Sequence, residues 1–367
     1  MKNIIEYVEN EMRKFDEKAF SCVDSLVLSQ FAYLKFDNIV PTIEEEAPSI
    51  RIKDLFKAEN FASMLHDVLD EEKNKRLLTV LAASPRFRDI EMNYYVSKLD
   101  YKSEKQFSAV TYVLPDKTYM VTYRGTDVTF VGWKEDFNMA YINPVPSQEE
   151  GVDYLNTVAK KITGILRVGG HSKGGNIAVY SSMFCEKSTQ ERIIAVFSHD
   201  GPGFRENIFL SDEYLNIKDR IFKIIPQSSI IGMLLQSQEN YRVVASKNFG
   251  ILQHDPFSWV LEDGDFKYTE SISNGSLNAN YTISQWLSNI SDEKRELFID
   301  ALYQVINSTN ARSINDLTEI RVKEWAMILK AFRSIDKETR NFITQTIRDL
   351  MVLYVRNLNP ISKKEPL

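Results

Sequence analysis

Cysteine and histidine are the scarce residues of this 367-residue chain, with two of the first and four of the second. Cys22 and Cys185 are too few for a disulfide framework, and neither belongs to a C-x-x-C pair, so both read as core thiols. Basic charge is not in excess. With 45 Lys and Arg against 51 Asp and Glu, the formal net charge is −6, which argues against a nucleic-acid-binding face. Glu6, Glu9 and Glu11 stand where a signal peptide needs an apolar core, and no run approaches the roughly 20 apolar residues of a membrane span. The expected location is the cytoplasm, without a transmembrane segment. Repeats, low-complexity tracts, metal-ligand spacings and phosphate-binding loops are also missing, so no metal and no cofactor are expected.

What the chain does have is core-forming material, 43% hydrophobic and 11% aromatic. Residues 6–75 read as helical, with Val23–Leu34 and Phe61–Leu69 carrying apolar residues at helical spacing. From about Asp89 the rhythm changes. Gln106–Val113 and Thr118–Tyr123 are β-rich runs on either side of Pro115-Asp116-Lys117, a hairpin signal. Helix Gly151–Thr163, a strand before Ser172, a helix after it, and strands at Arg192–Ser198, Arg220–Ile225 and Tyr241–Ser246 then alternate. Such alternation predicts an α/β fold with a mostly parallel sheet and helices on both faces. Beyond about Thr282 helix returns, with one stripe of Leu297, Phe298, Ala301, Leu302, Val305 and Ile306. A second stripe holds Phe342, Ile343, Ile347, Leu350, Met351 and Tyr354; both read as packing faces. The expected division is an N-terminal helical segment over 1–85, a core over 86–281 and a C-terminal helical extension over 282–367.

The most informative stretch is Gly170-His171-Ser172-Lys173-Gly174-Gly175, directly after the apolar run Ile165-Leu166-Arg167-Val168. A strand, a Gly-x-Ser-x-Gly turn and a helix present a serine hydroxyl for attack, and the turn is tight enough to require glycine at its flanks. A serine hydroxyl is barely nucleophilic at neutral pH. It needs a base, a group that orients the base, and donors for an oxyanion.

Four histidines make the search for a base short. His66 falls in the N-terminal helical region and reads as structural or exposed. His171 adjoins the serine, with its ring expected to point away from the hydroxyl. His254, in a loop after the last core strand, is the candidate base, because active residues gather at the C-terminal ends of such strands. His199, at the end of an earlier strand, competes with it. For the acid, Asp200 follows a strand and precedes Gly201-Pro202-Gly203, which free the backbone to turn. The alternative is that Asp200 serves only the turn. Asp255 is too close in sequence to His254 to orient its ring. Lys173 supplies one oxyanion N–H, and Thr126, in the loop Tyr123-Arg124-Gly125-Thr126-Asp127, the other.

Tyr123–Asp127, Trp133-Lys134-Glu135-Asp136-Phe137 and Gly170–Gly175 resemble the corresponding segments of class 3 (fungal-type) lipases of the α/β-hydrolase superfamily. A closer resemblance is to the bacterial lipase-like family called DUF2974 or Mbeg1-like. It rests on Ser25–Leu34, Asp200-Gly201-Pro202-Gly203-Phe204 and Gln253-His254-Asp255-Pro256 with Trp259. It spans about Asp24 to Trp259 and implies Ser172 as nucleophile, His254 as base, and Thr126 and Lys173 as oxyanion donors. Class 3 lipases would carry the acid after the strand Arg220–Ile225, where this chain has Ser228 and Ser229. Pancreatic-type lipases carry it after the preceding strand, which matches Asp200. Lys173 stands where lipases commonly have Leu, a departure from a wholly apolar pocket wall.

The expected activity is therefore hydrolysis of a small-molecule ester or lipid through an acyl-enzyme. Acyl transfer by the same groups and a catalytically idle interaction module are the alternatives. Phe130, Ile230, Met233 and Leu234 are candidate pocket residues, with an ordinary core role for 229–235 as the alternative. The C-terminal helices are candidate partner or oligomer contacts.

Overall fold

A computed structural model describes residues 2–100, 102, 104–127, 135, 139, 144–204, 206–235, 240–291, 293–297, 332–333 and 335–358. Its sheet has nine strands. These are β1 (Ile50–Arg51), β2 (Glu91–Asp100), β3 (Lys105–Val113), β4 (Tyr119–Tyr123), β5 (Leu166–His171), β6 (Ile193–His199), β7 (Ile221–Pro226), β8 (Tyr241–Val244) and, after a short β9–β10 hairpin (Leu261–Glu262, Asp265–Phe266), β11 (Tyr268–Thr269). The spatial order is β1-β2-β3-β4-β5-β6-β7-β8-β11. Strands β4 to β8 run parallel, while β1 to β4 form an antiparallel meander and β11 closes the far edge antiparallel. The expected hairpin is present. Val113 pairs with Tyr119, and Lys117 takes the positive φ of 64° that its turn needs.

The antiparallel part exceeds what the sequence suggested, because β2 is interrupted. Its register shifts between Asn93 and Val96 at a bulge where Tyr94 has φ 57°, which spoils the alternation by which a strand is read. The N-terminal region is likewise broken into short pieces, with helices Ile4–Asn10, Cys22–Phe31, Ala58–Leu65 and Glu71–Ala83 and the small strand β1 between them.

Successive residues of the strands face opposite ways. Met120, Phe197 and Ile224 join the helices Ile4–Asn10 and Cys22–Phe31 in one apolar core. Val121, Val168 and Val196 join the helices Pro146–Lys161 and Lys173–Phe184 in the other. Ser21 and Asp24 cap the Cys22–Phe31 helix reciprocally. From Val23 onward that helix is buried, held between the sheet and outer helices. Asp24 has a second role. Both its oxygens accept from Arg86, at 2.8 and 2.7 Å, and Arg86 also donates to the carbonyls of Arg13, Lys18 and Ala19. This fully buried ion pair fastens the chain before the Cys22–Phe31 helix to the segment that leads into β2.

Toward the C-terminus, helix Asn274–Asn289 packs against helix Lys337–Leu358. Ile343 is buried beside Ile335 and Phe332, whereas Met351 and Leu297 are exposed, so the expected stripes are only partly covered. Phe298, Ala301, Leu302, Val305 and Ile306 lie outside the described residues, as do the side chains of Ile347, Leu350 and Tyr354. No described helix is long and apolar enough to cross a membrane.

Candidate active site

Ser172 sits between β5 and the helix Lys173–Phe184 with φ 58° and ψ −132°. That backbone is strained for a residue with a Cβ, and neighbouring glycines make room for it. A Cβ on Gly170 would lie 2.3 Å from the carbonyl carbon of Gly174, and one on Gly174 would lie 2.1 Å from the Tyr123 oxygen. The helix that follows leaves its first N–H groups without intrahelical acceptors, next to the hydroxyl.

The loop after β4 closes over the same point. A Cβ on Gly125 would come within 2.6 Å of the His171 oxygen and 3.1 Å of the Ser172 Cβ, so glycine lets Arg124–Asp127 lie against the serine. Thr126 is the next residue of this loop.

His254 and Asp200 meet. The His254 Nδ1–H donates to Asp200 Oδ2 at 2.6 Å, although the two residues come from different loops. His254 is about a quarter exposed, and its carboxylate partner is buried. With Nδ1 protonated, Nε2 is left with a free lone pair. An imidazole in this tautomer can accept a proton and return it, and the carboxylate stabilises the imidazolium in between.

His199 is not in this position. It lies fully buried in the core beside Trp259, with Nε2 3.0 Å from Ser25 Oγ and its ring parallel to Phe197. Burial drives its pKa down to about 3, so it is a neutral core residue. His66 is exposed and pairs with Asp67. Asp255 turns away from the His254 ring, accepting from the Phe257 N–H and pairing with Lys73.

His171 takes part in the site after all. Its ring lies against that of His254, tilted by 35° with centroids 4.5 Å apart. Its Nε2 lies 2.9 Å from the His254 carbonyl and its Nδ1 2.9 Å from the Tyr33 hydroxyl. A carbonyl only accepts, so Nε2 carries the proton and Tyr33 donates to Nδ1. Burial, reinforced by His254, holds His171 far below the ordinary imidazole range, which keeps it neutral. Trp259 closes the other side, donating to the Gln253 carbonyl at 2.8 Å.

Lys173 has an unexpected role. Its side chain is fully buried. Nζ donates to Glu135 Oε2 and the Gln106 carbonyl, both at 2.8 Å, and to Gln106 Oε1 at 3.1 Å. Glu135 in turn accepts from the backbone N–H of Gln106 and Ser147. The Lys at this position ties the elbow helix to β3 and to the segment containing Glu135, so it does not make the pocket wall polar.

The Asp200 turn is secured from beneath by Asn176, which donates to the carbonyls of Pro202 and Gly203 and accepts from Gln148. Sequence reasoning missed Tyr33, Gln106, Glu135, Gln148 and Asn176, all of them polar residues whose partners are distant in the chain.

The model of one protein family matches residues 81–304. The chain belongs to the Mbeg1-like family. Among solved structures, the Mbeg1-like chain is similar to the Rhizomucor miehei lipase propeptide complex, at 13% identity and a TM-score of 0.34, over 44% of this chain and 58% of that one. It is also similar to M37 lipase, at 15% identity and a TM-score of 0.37, over 58% of this chain and 70% of that one. The Mbeg1-like chain thus spans little more than half the length of the Rhizomucor structure. No curated protein matches it.

The apolar run after β7 in this Mbeg1-like chain forms a single 3-10 turn, Ile231–Met233. Met233 is buried with Ile225, Val243 and Ile272, while Ile230 and Leu234 are half-buried beside it. Phe130 lies outside the described residues. Neither cysteine is poised to react, since burial pushes the Cys22 thiol up to about 11 and the Cys185 thiol up to about 12.

Proposed function

We propose that this chain is a serine hydrolase of the α/β-hydrolase fold that cleaves carboxylic esters with an apolar acyl group. The 2.6 Å contact between His254 Nδ1 and Asp200 Oδ2, made beside a strained serine elbow, carries the reading. Ser172 Oγ attacks the ester carbonyl while His254 Nε2 takes its proton. The tetrahedral oxyanion forms against the backbone N–H groups of Thr126 and Lys173. His254 then gives the proton to the leaving alkoxide; a water molecule, deprotonated by the same nitrogen, attacks the acyl-enzyme, and the imidazolium returns the proton to Ser172 Oγ as the acid is released.

Asp200 keeps the imidazole in the required tautomer throughout. Phe249 and Leu252, strongly exposed on the loop that carries His254, offer apolar surface beside the base and support an apolar acyl group. A fluorophosphonate probe should label Ser172, and Ser172→Ala should abolish both labelling and p-nitrophenyl butyrate turnover, the latter by at least about 10³-fold. Equal turnover by wild type and Ser172→Ala would refute the mechanism. A panel of esters graded by acyl length then defines the substrate.

A further inference from the structure

Asp200 leaves β6 with φ 51°, and its side chain is buried. A carboxylate in such a place needs its lone pairs filled, and one oxygen must still be left for His254. The filling comes from the run after the neighbouring strand, β7. Asp200 Oδ1 accepts from the Ser229 hydroxyl and from the Gly232 N–H, the latter at 3.2 Å, while Oδ2 is left to His254 at 2.6 Å. The Gly232 N–H is shared with Ser229 Oγ at 3.0 Å, so the three groups close a small ring.

Ser229 is 2% exposed, and its own N–H is held by the Pro226 carbonyl at the end of β7. A Cβ on Gly232 would lie 2.3 Å from Asp200 Oδ1, so only glycine lets this turn approach the carboxylate. The apolar run after β7 therefore delivers a hydroxyl and an N–H to the acid.

We infer that Ser229, together with the Gly232 N–H, clamps the Asp200 carboxylate in the orientation that reaches His254, which makes Ser229 a positioning residue. The inference rests on the roles given above to Asp200 and His254. With Oδ1 anchored, rotation of the carboxylate away from the imidazole breaks two hydrogen bonds. The clamp also draws charge toward Oδ1 and moderates the pull of Oδ2 on the imidazolium.

Among the described residues, the titratable and charged groups around His254 are Asp200 at Nδ1, the neutral His171 against its ring, and Asp255 on its loop, paired with Lys73 of the helix Glu71–Ala83. Removing the Ser229 hydroxyl changes only the first of these. The acidic limb of the pH profile should then move to higher pH, because the less shielded carboxylate stabilises the imidazolium more strongly.

The test compares wild type, Ser229→Ala, Ser229→Thr and Asp200→Asn in the full chain. It measures kcat, KM and the pH profile for p-nitrophenyl butyrate, with rates referred to active sites counted by fluorophosphonate titration. Ser229→Ala should lower kcat per site about 10-fold with KM changed less than about twofold, as expected for loss of a hydrogen bond to an ionised group. Its acidic limb should rise by about half a pH unit, and Ser229→Thr should restore both. If Asp200→Asn is slowed but Ser229→Ala keeps the wild-type kcat per site and limb, the clamp is overturned and the Asp200 assignment stands. Fewer active sites with an unchanged kcat per site would equally overturn it. If Asp200→Asn turns over as fast as wild type, the assignment itself fails and the clamp fails with it.

Discussion

Replacing Lys173 with methionine separates two readings of the residue after the nucleophile. Methionine keeps the length and most of the volume of the lysine stem, so little cavity is created. What is lost is the ammonium that meets Glu135 Oε2 at 2.8 Å in a fully buried site. Breaking one partner of a buried pair strands the other charge, which typically costs about 3–5 kcal/mol. Glu135 keeps two backbone donors, from Gln106 and Ser147, so the lower end of that range applies, about 3 kcal/mol.

The double variant Lys173→Met/Glu135→Gln should be less destabilised than Lys173→Met alone, because the stranded charge is gone. Urea unfolding of the four species gives the coupling directly. The activity of the folded fraction, counted by probe labelling, should stay within about tenfold of wild type, since only the Lys173 backbone N–H is assigned a catalytic task. A loss of stability under about 1 kcal/mol, or simple additivity in the double variant, would refute the pinning role. A strict change in acyl-chain preference would restore Lys173 to the pocket wall.

Acid should unfold this protein through its neutral core histidines. His199 falls from the ordinary imidazole range to about 3 on folding, so its burial costs nothing above pH 6.5, and stability is lost as pH drops from there toward 3. At pH 5 the loss from this residue is about 2 kcal/mol. His199→Gln should flatten the pH dependence of unfolding free energy between about pH 3 and 6.5, and an unchanged slope would count against the assignment. Gly125→Ala should destroy labelling at Ser172, because its methyl group would sit 2.1 Å from the Tyr33 hydroxyl and 2.6 Å from the His171 carbonyl. Wild-type labelling by that variant would show that the loop does not lie against the serine.

Much of the site was legible because its parts are local. Gly170, Ser172 and Gly174 encode a turn that only one backbone path satisfies, and β5 and the helix after it announce themselves by short-range pattern. His254 and Asp200 were readable from their places after strands, since a parallel sheet collects such loops at one edge. The hairpin of β3 and β4 was readable from Pro115–Lys117. The bulged β2 was not, because alternation breaks at Tyr94, and neither was the small strand β1 of two residues.

Buried charges were the least visible feature. In a sequence, Lys173, Glu135, Arg86 and Asp24 look like surface residues, and only their partners in space make burial tolerable. The same holds for His171, whose ring direction follows from Tyr33, in the sequence's N-terminal part, and from the carbonyl of His254, in its C-terminal part. The serine elbow, its glycines and the alternation of strands and helices were thus determined by the sequence, because backbone sterics and side-chain period act over a few residues. The pairing of Asp200 with His254 on one side and with Ser229 and Gly232 on the other, and the inward turn of Lys173, were decided only by the tertiary structure. Each depends on hydrogen bonds and desolvation between groups that the chain brings together from far apart.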